Sequence, residues 1–289
     1  MFREMMDKDL GFASDMLIKI NHSAADIFNR SYANGKLYKK FVFESRNNQG
    51  VFTIIVGDSY YSFQLSFQYD VCEYEIIKFI EKELAEVLKL REDKDIYLNF
   101  NGYNAALINY FMEYGLERDS LGFEFYISAD SDKVKGLKDF TMGQNMAVKK
   151  YEEEHALKYL KLLDEAFRRQ QAECNEEQDC FSKNCGEKAE WLKELSKKNC
   201  FKTFWVKNQL VGLYIVNENY LDTIAVHPDC ERNGYGSEIL NYCIKDRIYE
   251  NHFDNLYLVT YYQNRKAQRL YLKNGFKVRG FYCENTYKG

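Results

Sequence analysis

The chain lacks an excess of either charge, a membrane-length apolar run and any low-complexity tract. Its 40 lysines and arginines stand against 44 aspartates and glutamates, a formal charge of −4. That leaves no basic footprint for nucleic acid or anionic lipid. With 46% hydrophobic and 16% aromatic residues, the unbiased composition points to packed cores and away from disorder. The opening segment, Met1-Phe2-Arg3-Glu4-Met5-Met6-Asp7-Lys8-Asp9, holds acids where a secretory leader needs a positive start and an apolar core. No apolar run reaches bilayer-spanning length. The expected location is cytoplasmic, with no nucleic-acid or membrane partner. A Cys-x-x-Cys knuckle is also missing. Eight cysteines scattered over 289 residues without an export signal favour reduced thiols. Cys174, Cys180 and Cys185 lie closer together, but the nearest histidines are His155 and His227, so no metal is expected.

What the chain does contain is an apolar strand, Ile224-Ala225-Val226, running into His227-Pro228-Asp229-Cys230-Glu231-Arg232-Asn233-Gly234-Tyr235-Gly236-Ser237. After Gly236, Ile239, Leu240, Cys243, Ile244 and Ile248 recur at helical spacing. The loop amides therefore meet a helix N-terminus, where free donors and the helix dipole favour an anion. The glycines let backbone approach a ligand with no Cβ in the way. A plain tight turn is the alternative reading of this segment alone.

A second segment follows: strand Leu256-Tyr257-Leu258-Val259, then Asn264-Arg265-Lys266-Ala267-Gln268-Arg269-Leu270-Tyr271-Leu272-Lys273-Asn274-Gly275-Phe276. It reads as strand, helix, strand. Ala267, Leu270 and Tyr271 form one buried face, and Gly275 ends the helix in the left-handed conformation. Together the segments resemble the GNAT superfamily of acetyl-coenzyme A dependent N-acyltransferases. The resemblance rests on Val226-His227-Pro228, Gly234-Tyr235-Gly236, Asn264, Ala267, Tyr271 and Gly275-Phe276, in that order and at that spacing. It covers residues 142 to 289. One position departs from it: Glu231 stands where the family usually has Gln or Arg, with Arg232 beside it.

The first half carries a fainter copy. Tyr97 and Tyr257, Leu98 and Leu258, Asn104 and Asn264, and Gly115 and Gly275 are each 160 residues apart. The same shift places Ile96, Phe111 and Leu116 opposite Leu256, Tyr271 and Phe276. Tyr74 and Ile76 fall opposite Gly234 and Gly236, so the copy keeps the scaffold and loses the cofactor loop. The expected fold is α/β (α+β), with tandem GNAT-like domains, each a mixed, largely antiparallel central sheet flanked by helices. Residues 1–135 form the degenerate domain and residues 136–289 the acetyltransferase domain, joined near Asp130 to Gly136. A last strand, Phe276 to Cys283, leaves little room for another, which is either very short or replaced from the other half.

The resemblance implies acetyl-coenzyme A as co-substrate and a primary amine, of a small molecule or a peptide or protein, as acceptor. The alternative is a non-catalytic acyl-coenzyme A-binding regulatory protein. Ile224, Ala225 and Val226 would pair with the pantetheine amides as an added strand would. The amides of Arg232, Asn233, Gly234, Tyr235, Gly236 and Ser237 would hold the pyrophosphate, with Glu231 beside them. Asn264 and Ala267 would lie by the pantetheine arm, although Asn264 reads equally as a helix N-cap. Tyr271 occupies the family's frequent general-acid position. A phenol with a pKa of about 10 can return a proton to a thiolate whose ordinary value is about 8.5. The family's usual carboxylate position falls on Tyr220, so Asp222, two residues on, is the candidate base. The expected assembly is a monomer or homodimer.

Overall fold

The structure, a computed structural model, describes residues 1–70, 73–90, 93–143, 145–173 and 177–289. In chain order its strands are β1 (Phe2–Glu4), β2 (Leu37–Glu44), β3 (Gln49–Val56), β4 (Tyr60–Phe67), β5 (Asp95–Asn101), β6 (Leu116–Ser128), β7 (Met146–Lys149), β8 (Phe201–Val206), β9 (Gln209–Asn217), β10 (Tyr220–Val226), β11 (Asn255–Tyr261) and β12 (Lys277–Tyr287). Its helices are α1 (Leu10–Leu17), α2 (His22–Ala33), α3 (Tyr74–Leu90), α4 (Ala105–Glu113), α5 (Asp132–Lys135), α6 (Ala156–Glu173), α7 (Cys180–Lys183), α8 (Cys185–Lys197), α9 (Tyr235–Lys245) and α10 (Arg265–Lys273). The shift of 160 residues relates β5 to β11 and α4 to α10 end for end.

Contacts divide the chain into two compact units. The first holds Met1–Glu124, Thr260–Gln263 and Val278–Gly289; the second holds Phe125–Val259 and Asn264–Lys277. The sequence reading separates 1–135 from 136–289, whereas the first contact boundary falls inside β6 and the C-terminal strand belongs to the first unit. The reason is pairing. Tyr282 to Thr286 of β12 lie antiparallel to Asn101 to Tyr97 of β5, so the ladder ties the chain's end to the first unit.

In the first unit the strand order is β1-β2-β3-β4-β5-β12-β6. β3 and β4 are buried along nearly their whole length, as their apolar runs require. One core packs Ile76, Ile80, Leu84 and Val87 of α3 with Phe52, Phe63, Leu98 and Phe100. Another gathers Ala13, Leu17 and Phe28 of α1 and α2 with Val42, Val51 and Tyr282. These N-terminal helices escaped the sequence reading.

In the second unit the order is β11-β10-β9-β8-β7, with the end of β6 beside β11. The β8–β9 hairpin turns at Lys207 and Asn208, both at positive φ. Tyr159, Leu160 and Leu163 of α6 pack with Leu192, Phe201, Leu213 and Ala225. Helix α9 buries Ile239, Leu240, Cys243 and Ile244, then widens into a π-type turn over Asp246–Glu250. That turn closes a buried polar knot. Arg247 donates to Asp246 at 2.6 and 2.8 Å, and the Tyr214 hydroxyl donates to Asp246 at 2.9 Å.

Candidate functional site

The second unit's parallel strands β10 and β11 are paired at one position, Tyr220 with Tyr257, and then part. On its other side β10 keeps a ladder to β9, interrupted by a register shift between Leu221 and Thr223. A shift of this kind bends a strand and increases its local twist. Among the described residues, the β11-facing edge of β10 has no ladder from Leu221 to Val226, and such edge groups need a hydrogen-bonding partner.

Beyond β10 the chain makes a short turn. The His227 Nδ1 accepts from the Asp229 amide at 3.2 Å, so its Nε2 carries the proton toward Glu165 Oε2 at 3.1 Å. His227 is thus held as a brace between the loop and α6. The next segment is left-handed at Arg232 (φ 62°) and Gly234 (φ 86°), and Gly234 caps α9. The Ser237 and Glu238 amides turn back to the Gly234 carbonyl at 3.0 and 3.2 Å. The amides of Arg232, Asn233, Gly234, Tyr235 and Gly236 have no acceptor among the described residues. Successive free amides of this kind form an anion-binding concavity. Among the described residues, nothing beyond the adjoining chain stands within 4 Å of the place a Gly234 Cβ would take, so the residues present fit a diphosphate.

The Glu231 carboxylate points to Lys266 of α10 and forms an ion pair with it. Sequence reasoning missed Lys266, although it sits two residues after Asn264 in the second motif. Asn264 Oδ1 accepts from the Ala267 amide at 3.1 Å, and its Nδ2 donates to Gln170 of α6 at 3.1 Å. Its capping role is formed; Gln170, a second partner, carried no sequence signal. Ala267 is half-buried on α10, where its amide takes that cap.

Tyr271 is buried, with its ring against Phe125 and Phe276 at centroid distances of 5.7 and 5.9 Å. Burial, helped by the nearby Cys243 thiol, raises its phenol well above the ordinary value. Asp222 sits at the β10 irregularity. It is exposed rather than buried, because the shift between Leu221 and Thr223 breaks the alternation that would place it on Tyr220's face. Crowding by neighbouring atoms still pushes its carboxyl above the usual range. A separate cavity of about 440 Å³ lies between α6 and the β8–β9 turn, lined by Lys158, Lys161, Glu165, Trp205 and His227. It is distinct from the gap between β10 and β11.

The first unit repeats this geometry in closed form. β4 and β5 pair in parallel through six positions, Tyr60 with Asp95 to Leu65 with Phe100, leaving no gap. Asn104 accepts from the Phe67 amide at 3.0 Å and donates to the Phe67 and Tyr69 carbonyls at 3.2 and 3.1 Å. The Asp70 carboxylate occupies the start of α4, accepting from the Ala106 amide at 3.0 Å. Tyr74 is exposed and Ile76 buried, so strand pairing and the Asn104 bonds fill the space. Val71 and Cys72, in the corresponding loop, lie outside the described residues.

Residues 161–276 match the model for the acetyltransferase (GNAT) family. This segment is a GNAT acetyltransferase domain. A search of curated proteins returns no match. Among solved structures, a GCN5-related N-acetyltransferase from Sphaerobacter thermophilus is similar at 10% identity, with 99% of this chain and 94% of that chain covered and a TM-score of 0.49. A tandem GNAT protein from the clavulanic acid biosynthesis pathway is similar at 12% identity, with 99% and 97% covered and a TM-score of 0.45. The PaiA N-acetyltransferase from Thermoplasma acidophilum, solved with coenzyme A, is similar at 20% identity, with 49% and 99% covered and a TM-score of 0.38. The GNAT domain contains the parted strands, the amide-lined loop and Tyr271. Among the described residues no cluster of His, Cys, Asp and Glu is placed to hold a metal, and Cys174 lies outside them. Among the described residues no helix is long and apolar enough to cross a membrane.

Proposed function

We propose that the chain is a cytoplasmic acetyl-coenzyme A dependent N-acetyltransferase acting on a primary amine of a small molecule or of a peptide or protein. The observation that carries this reading is the parting of β10 and β11 above a loop of unpartnered amides. An unpaired strand edge suits the amides of a pantetheine arm, and the loop suits a diphosphate. Acetyl-coenzyme A supplies an activated thioester with a thiolate leaving group. Ile224, Ala225 and Val226 orient the acyl donor along the edge, and the amides from Arg232 to Gly236 hold its charge, the Ser237 amide being taken by the Gly234 carbonyl. Tyr271 keeps its proton on the phenolic oxygen and donates it to the departing sulfur. Asp222, directly or through water, takes the proton from the amine. The first unit, with its gap closed, supports without binding cofactor.

Calorimetry with acetyl-coenzyme A, followed by a free-thiol release screen over amines, tests the reading. Binding with turnover of at least one amine is expected. Absence of binding would overturn it, and binding without turnover of any amine would favour a regulatory acyl-coenzyme A-binding protein.

A further inference from the structure

Glu231 and Lys266 sit on opposite sides of the gap. β10 and β11 run parallel, so their C-terminal ends share one end of the sheet. One leads to Glu231 in the amide-lined loop, the other to Lys266 in the first turn of α10. Their ion pair therefore ties together the two chain segments between which the strands part.

We propose that this ion pair is a charge clasp over the diphosphate site, in which Glu231 holds Lys266 until a diphosphate displaces it and takes Lys266 as its own counter-ion. The inference rests on the reading of the gap and loop as a coenzyme A site. Three observations carry it. The Glu231 carboxylate is within contact of a cation and at the edge of five free amides, so a diphosphate arriving there meets an anion already in place. The pair is open to water, with Lys266 at 70% and Glu231 at 35% side-chain exposure. Exposed ion pairs contribute little, so an incoming diphosphate can break it. Lys266 also stands on the first turn of α10, where a free cation is disfavoured by the helix dipole and an anionic partner is favoured. Glu231 thus sets cofactor affinity below what the loop alone would give, and Lys266 supplies the cation missing from the loop's own third position before Gly234.

The test is calorimetry on the full chain with coenzyme A and, separately, with pantetheine, which lacks the diphosphate. Glu231→Gln should bind coenzyme A roughly three- to tenfold tighter, with a gain that shrinks as salt rises. Lys266→Met should bind it about tenfold more weakly, and neither change should alter pantetheine affinity. Melting temperatures of the unliganded variants should stay close to wild type, since the pair is exposed. Coenzyme A affinity that is unchanged or weaker in Glu231→Gln, or an equal change for pantetheine, would overturn the clasp. If the unaltered chain binds no coenzyme A, the acetyltransferase reading fails first and the clasp with it.

Discussion

In the proposed mechanism Tyr271 is an acid that stays protonated. Burial lifts its phenol well above the ordinary value near 10, so no alkaline fall in activity should arise from it below about pH 10. Tyr271→Phe should lower kcat by about a hundredfold with coenzyme A affinity unchanged, measured by thiol release and calorimetry. In the proposed mechanism Asp222 works in the opposite protonation state. As a base it acts when ionised, so activity is present above its pKa and is lost as pH falls through it. Its raised value should put the acid limb of the pH–rate profile above that of an ordinary aspartate, and Asp222→Asn should remove that limb. Gly234 carries a backbone role. At φ +86° with open space around its missing Cβ, Gly234→Ala should cost about 1–2 kcal/mol in denaturant unfolding through conformation alone, without a clash.

Among elements, the contrast between β4–β5 and β10–β11 is what separates the two halves at the proposed site. Both pairs are parallel and both precede a helix begun by an asparagine, yet one is laced through six positions and the other through one. The repeat of Asn104 and Asn264 is visible in sequence; their different partners are not, because Phe67 and Gln170 reach them only through folding. The loop glycines, the cap at Gly275 and the apolar stripe of α9 were legible, since φ preference and helical spacing are local properties. Lys266 was not read, because its meaning depends on a carboxylate 35 residues away in the chain. The π-type turn at Asp246 gives another element-scale expectation. Asp246→Ala leaves Arg247, with 4% side-chain exposure, without its carboxylate, and should destabilise the fold by about 3–5 kcal/mol in chemical denaturation.

At the scale of the molecule, β12 follows directly on the matched GNAT segment in sequence and pairs into the first unit in structure. Residues 1–124 alone should therefore expose the edge of β5 and aggregate, as unpaired edges do. Linking residues 278–289 to that fragment should restore solubility and slow amide exchange in β5, which exchange measurements would read directly. Local pattern was enough to establish most of the elements after the N-terminal helices, the glycine-bearing loop, the helix that carries Tyr271 and the 160-residue repeat, because these depend on periodicity, glycine conformation and neighbours in the chain. The fold settled the rest: the strand taken up by the first unit, the exposure of Asp222, the open gap beside β10 and the closed one beside β4, and the partner of Glu231. Each of these depends on hydrogen bonds or charges brought together from distant positions, and residue spacing does not encode such encounters.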